Sequence, residues 1–235
     1  QCLIMDENAK ILIIPDVHGR DFWRIPVMDA LENSDIPIVF LGDYLDPYYE
    51  EWVEKIKEDP SFDYRMNAIE VFEEILNLKT QYPDRITLLL GNHDCGYAVN
   101  YDICSCRYDQ RNSKRIIDDF SNNIDKFQLA YDITINGKHF VLSHAGISHQ
   151  YAENVFGKDI VTEDNVVNLF NNGWEVQNYG VLDSLGIYDY YRGAFRGQDY
   201  ASLVWADIHE WGDDSYSPQE GYGYMIFGHT QLVDE

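Results

Sequence analysis

The chain has 235 residues, of which 45% are apolar and 14% aromatic; this supports a sizeable buried core and excludes a chain too polar to fold. Acidic residues outnumber basic ones 41 to 17, for a formal charge of -24, a field that repels polyanions and argues against duplex nucleic acid and anionic membranes as partners. No apolar run approaches the roughly 20 residues of a bilayer-spanning helix, and Cys2, Cys95, Cys104 and Cys106 in a chain this long predict reduced thiols rather than a disulfide framework.

In chain order, KILII from Lys10 to Ile14 is a β-branched run that ends at Pro15 and Asp16, as a buried strand does on entering a loop. A helix is expected from about Trp23 to Asn33, and IPIVFLGD then reads as a second apolar strand ending in Gly42 and Asp43. From Tyr64 to Lys79, Met66, Ile69, Val71, Phe72, Ile75, Leu76 and Leu78 form a helical stripe, and Arg85 to Leu90 returns as a third strand. Strands alternating with helices predict a parallel sheet, with ligands gathered at its carboxyl edge.

Lys114 to Lys126 is expected to be helical. The segment Tyr131 to Ser143 contains DITINGKHFVLS, two alternating runs about Asn136-Gly137, which predicts a tight hairpin. Ala201 to Ala206 and Tyr224 to Phe227 read as short strands. Segments near 47–63 and 148–198 are rich in Asp, Asn, Tyr and Gly with weak periodicity, and read as insertions that would form a cap on a single domain spanning 1–235. The Cys104-Ser-Cys106 pair has no second clear ligand pair with which to hold a soft metal.

Five strands terminate alike, in IIPDVHG, VFLGDYLD, LLLGNHD, VLSHAG and MIFGHT. Their ends carry Asp16, His18, Asp43, Asp46, Asn92, His93, His144 and His229, and so include four of the seven histidines. Singly, each has a structural explanation as a helix cap, a hydrogen-bonded histidine or a turn residue. Together they form an N/O donor set large enough for two divalent ions such as Mn, Fe or Zn, and a two-oxygen carboxylate such as Asp43 can bridge such ions.

The ordered series D-x-H-G, G-D-x-x-D, G-N-H-D, S-H-A-G and G-H-T, from about Ile11 to Thr230, resembles the calcineurin-like metallophosphoesterases, most closely the bacterial relatives in the phosphoprotein phosphatase branch. The resemblance implies an α/β fold in which a two-sheet β-sandwich is flanked by helices, with a dinuclear site at the strand carboxyl ends. It also implies metal ligands Asp16, His18, Asp43, Asn92, His144 and His229, with Asp43 bridging two divalent ions. His93 would be the general acid oriented by Asp46, and a metal-bound water would attack phosphorus. The implied activity is hydrolysis of phosphomonoesters of the Ser/Thr protein phosphatase type, in a cytoplasmic setting. Two other readings are a nucleotide hydrolase like the diadenosine tetraphosphatases and a binding scaffold without chemistry.

The pattern departs from the family at Pro47, where an arginine is usual. Arg65, at the start of the next helix, is the expected substitute, and Arg20, Arg192 or Arg196 would supply a second phosphate contact. Asp94 stands where glutamate is usual and is expected to hydrogen-bond the loop.

Overall fold

The computed structural model describes residues 10–101, 107–190, 199–211 and 220–230. Four strands, β1 (Leu12–Ile14), β2 (Ile38–Phe40), β3 (Ile86–Leu89) and β4 (Phe127–Gln128), lie side by side in that order. All are parallel, with Leu12 opposite Ile38 and Phe40 opposite Leu88. The connections run through α1 (Arg24–Asn33), α2 (Val53–Glu58) and α3 (Tyr64–Gln81), and then α4 (Asn92–Ala98) and α5 (Ser113–Asn122). The helix expected to reach Lys126 stops at Asn122, and a 3₁₀ turn from Ile124 to Lys126 follows.

A second sheet pairs β5 (Ala130–Ile135) antiparallel to β6 (Lys138–Ser143), with β7 (Tyr224–Ile226) parallel to β6 on its far side. The hairpin turns on Asn136 and Gly137 at φ 52° and 74°, the doubly left-handed turn that matches strand twist. Helices α6 (His149–Phe156), α7 (Val166–Glu175) and α8 (Tyr179–Ser184) follow β6.

Strand alternation builds two apolar layers. Ile13, Val39, Leu41 and Leu89 of the first sheet meet Tyr131, Ile133, Phe140, Leu142 and Ile226 of the second. The alternate residues Ile14, Ile38, Phe40, Ile86 and Leu88 join the larger core with Val27 of α1, Phe72 and Ile75 of α3 and Phe120 of α5. On the other sheet, Ala130 and Val141 share that core with Tyr151 of α6 and Phe170 and Trp174 of α7. Asn171 of α7 ties down the start of β5: its side-chain oxygen accepts from the Leu129 and Ala130 amides, and its amide donates to the Ala130 carbonyl. The order of layers is helices, sheet, sheet, helices.

One predicted strand is absent. Ala201 to Ala206 folds as a turn in which the Trp205 and Ala206 amides both donate to the Ser202 carbonyl. Ala201, Ser202, Leu203, Val204 and Ala206 are all buried, so the apolar run reflects enclosure beside the end of β6, where the Ala145 amide reaches the Leu203 carbonyl at 2.8 Å. Among the described residues, no helix is long and apolar enough to cross a membrane.

Candidate metal centre and active site

Parallel pairing sends the carboxyl ends of β1, β2 and β3 to one rim, and β6 and β7, mutually parallel, bring theirs to the same place. Just beyond them, His18, Asp43, Asp46 and His229 all take left-handed backbone at φ 45°, 53°, 57° and 67°. Such conformations cost a non-glycine residue about 1 kcal/mol or more each and persist where the surroundings impose them. The rim is also crowded. A Cβ on Gly91 would collide with the Asp43 carboxylate, and one on Gly228 with that of Asp16; the glycines in these strand-end motifs let the acids sit against backbone.

The turn after β2 is anchored on both sides. Tyr44 points into the core, between Phe40 and Phe72, and its hydroxyl donates to the Leu89 carbonyl at 2.8 Å. Asp94 is fully buried, and its carboxylate accepts from the amides of Asp43 at 2.7 Å, Gly91 at 2.9 Å and Tyr44 at 3.0 Å. This clamp between the ends of β2 and β3 is the loop bonding expected of Asp94. Asp94→Ala strands three buried N–H groups. It is expected to cost about 3 kcal/mol or more, read by urea unfolding of the metal-free protein; a loss below about 1 kcal/mol would contradict the clamp.

Two donor groups share one carboxylate. Asp16, His18 and Asp43 offer ligand atoms that lie within 4.8 Å of one another, and so do Asp43, His144 and His229. Asn92 adds its carboxamide oxygen, 3.1 Å from His144 Nε2. The imidazoles are pre-oriented: His18 Nδ1 meets the Leu45 carbonyl at 2.7 Å and His144 Nδ1 the Leu41 carbonyl at 2.9 Å, so that each Nδ1 donates and the Nε2 lone pair faces the cluster. Around His144 Nε2 stand Asn92 Oδ1, Asp43 Oδ2 at 3.5 Å and His229 Nδ1 at 3.2 Å.

Such a convergence of lone pairs fits a cation. His144 is 0% exposed, Asp43 2% and His18 3%, a depth at which a carboxylate needs a compensating charge. Burial alone would push the Asp43 carboxyl upward, but His144, His93, His18 and His229 hold it well below the ordinary range. Burial lowers His18 despite Asp43 beside it, favouring the neutral imidazole that binds metal. The mixture of carboxylate, imidazole and carboxamide suits first-row divalent ions.

Next to this cluster is a relay that holds no shared ligand. His93 Nδ1 lies 2.8 Å from Asp46 Oδ2, and the Tyr97 hydroxyl donates to Asp46 Oδ1 at 2.7 Å. The Asp109 amide in turn donates to that hydroxyl at 2.6 Å. The His93 amide donates to Asp43 Oδ1 at 2.9 Å, coupling the relay's backbone to the shared carboxylate.

All eight strand-end residues singled out in the sequence therefore meet at one rim. The arginines divide. Arg20 lines the cleft with Asp16, His18, Tyr48 and His229, but its guanidinium is paired with both oxygens of Glu51 at 2.6 and 2.7 Å. Arg65 donates to the Arg107 carbonyl at 3.0 Å and to the Tyr64 hydroxyl at 3.3 Å. Arg192 and Arg196, like Cys104 and Cys106, lie outside the described residues. Sequence reasoning missed Tyr97 and Arg107, which both touch the relay. They stand in stretches without periodic signal, and only their tertiary contacts with Asp46 and His93 bring them in.

Residues 9–231 match the family described as calcineurin-like phosphoesterase. The chain is 25% identical, over 98% of its length, to the serine/threonine-protein phosphatase 6 catalytic subunit of Drosophila melanogaster, and spans 60% of that protein. Among solved structures, a protein serine/threonine phosphatase from Saccharomyces cerevisiae with similarity to human phosphatase PP5 aligns with TM-score 0.37 and 20% identity, covering 64% of this chain and 42% of that one. The phosphatase domain of the Legionella effector WipB aligns with TM-score 0.40 and 14% identity, covering 85% and 73%.

Proposed function

The chain belongs to the calcineurin-like phosphoesterase family, and on that premise we propose that it hydrolyses phosphomonoesters in the manner of a Ser/Thr protein phosphatase, with two divalent cations at the strand ends. The observation that carries this reading is the position of Asp43, common to both donor groups and hydrogen-bonded to the backbone of His93. Asp16, His18 and Asp43 would hold one ion, and Asp43, Asn92, His144 and His229 the other. When bound, such ions polarise phosphoryl oxygens and acidify water.

The protein's own part is positioning and proton transfer. His93 directs Nε2 towards the substrate, because Asp46 takes its Nδ1, and so can pass a proton from Nε2 to the departing oxygen. Asp46 fixes the ring and stabilises its charged form, and Tyr97 fixes Asp46. Cys95, on the same helix, is not the nucleophile: it is 1% exposed, and burial holds its thiol well above the ordinary range.

The name of the fruit-fly relative supports a phosphoprotein substrate. The cleft of about 330 Å³ over Asp16 and His18 is walled by Phe22 and Tyr48, and the exposed Phe22 offers a face on which a base could stack; this favours a dinucleoside polyphosphate as the second reading. The test is phosphate release from a phosphoserine peptide and cleavage of diadenosine tetraphosphate, each with added Mn²⁺. The expected result is peptide turnover that EDTA abolishes. Cleavage of the dinucleotide alone would favour the second reading, and metal loading without turnover of either substrate would favour a binding scaffold.

A further inference from the structure

Pro47 leaves this chain without an arginine directly after its G-D-x-x-D motif, yet a guanidinium is held by both neighbours of that proline. Arg107 Nε donates to the Asp46 carbonyl at 2.8 Å, and the Arg107 guanidinium carbon lies 3.7 Å from the centre of the Tyr48 ring. Its Nη2 reaches to 3.2 Å from His93 Nε2. We propose that Arg107 binds the phosphoryl oxygens of the substrate, entering from the segment after α4 to fill the place vacated at position 47. This deepens the phosphomonoesterase reading and rests on it.

Three observations lead there. The first is location: Nη2 stands beside the one atom, His93 Nε2, that must meet the leaving oxygen, so the other oxygens of the same phosphoryl group arrive within reach of the guanidinium. The second is preorganisation. A guanidinium held over an aromatic ring and tied through Nε to a carbonyl has lost rotational freedom beforehand, and its planar fork can donate to two oxygens of a phosphoryl group. Arg65 reinforces this by donating to the Arg107 carbonyl. The third is demand: a dianionic ester must approach Asp16, Asp43 and Asp46 in a chain of net charge -24, whereas Arg20 already spends its fork on Glu51. A phosphoryl oxygen, being charged, is a stronger acceptor for Nη2 than an imidazole nitrogen, so arriving substrate draws Arg107 from His93 and frees Nε2 to take up from solvent the proton it gives to the leaving oxygen.

The experiment is calorimetric binding of inorganic phosphate to Mn²⁺-loaded wild type and to Arg107→Ala, Arg107→Lys and Arg65→Ala, with metal content measured on each. Arg107→Ala is expected to weaken phosphate binding about 10- to 100-fold, the span of one or two charge-assisted hydrogen bonds, with metal content unchanged. Millimolar guanidinium ion should restore part of that affinity to the alanine variant and none to the lysine variant, and KM for p-nitrophenyl phosphate should rise in parallel. Wild-type phosphate affinity in Arg107→Ala would overturn the inference, as would metal loss in both Arg107 variants or a larger affinity loss in Arg65→Ala. Because the readout is anion binding, it reports on Arg107 even if wild type turns over no phosphomonoester, a result that would count against the proposed activity instead.

Discussion

Replacing His93 with alanine is expected to lower kcat by about 100-fold or more while the metal content stays at the wild-type value. Both halves follow from the geometry. His93 is absent from the two donor groups around Asp43, so its ring can be removed without taking a ligand. Its Nδ1 is committed to Asp46, which is in turn fixed by Tyr97, so in the proposed reaction its ring is the oriented proton carrier of this relay. The loss should shrink for esters of acidic alcohols, such as p-nitrophenyl phosphate, whose leaving oxygen needs little protonation. An alanine variant that turned over phosphoserine peptide at the wild-type rate would remove His93 from the chemistry.

Asp43→Asn should act on the opposite quantity. Asp43 is 2% exposed and belongs to both donor groups, so an uncharged amide there weakens both ions at once, and activity is expected to fall below detection at micromolar Mn²⁺. Breaking a buried charge arrangement on one side commonly costs about 3 kcal/mol or more, equivalent to over a hundredfold in affinity. Metal content after gel filtration measures it: wild-type stoichiometry in Asp43→Asn would contradict a shared carboxylate. The fold should tolerate the change, since the backbone amides of Asp43 and Tyr44 remain clamped by Asp94.

The convergence of the donor residues was legible in the sequence because it obeys a local rule that the fold keeps. An apolar strand that runs into glycine and then a polar pair must leave the sheet at that point, and parallel pairing brings such ends together. Asp43, Asn92 and His229 follow that rule after Gly42, Gly91 and Gly228, while Asp16, His18 and His144 leave their strands ahead of Gly19 and Gly146. The Asn136-Gly137 hairpin was legible for an equally local reason, since both residues adopt positive φ. Local rules fail where enclosure, not alternation, makes a stretch apolar. Ala201 to Ala206 has a strand's composition but lies buried as a turn, and α7, whose Val166, Val167, Phe170 and Trp174 stand at helical spacing, lies in a stretch that its polar surroundings made read as an insertion. Arg107 was illegible for a third reason: its place is set by contacts with Asp46 and Tyr48, about 60 positions earlier in the chain, which no spacing encodes.

The account stands on Asp43 lying between two cations. Anomalous diffraction from crystals grown with Mn²⁺ tests this directly. Two peaks are predicted, one on each side of the Asp43 carboxylate and about 3.5–4 Å apart, the first among Asp16 and His18 and the second among Asn92, His144 and His229. A single peak away from Asp43, or peaks that leave His18, His144 and His229 uncoordinated, would contradict it.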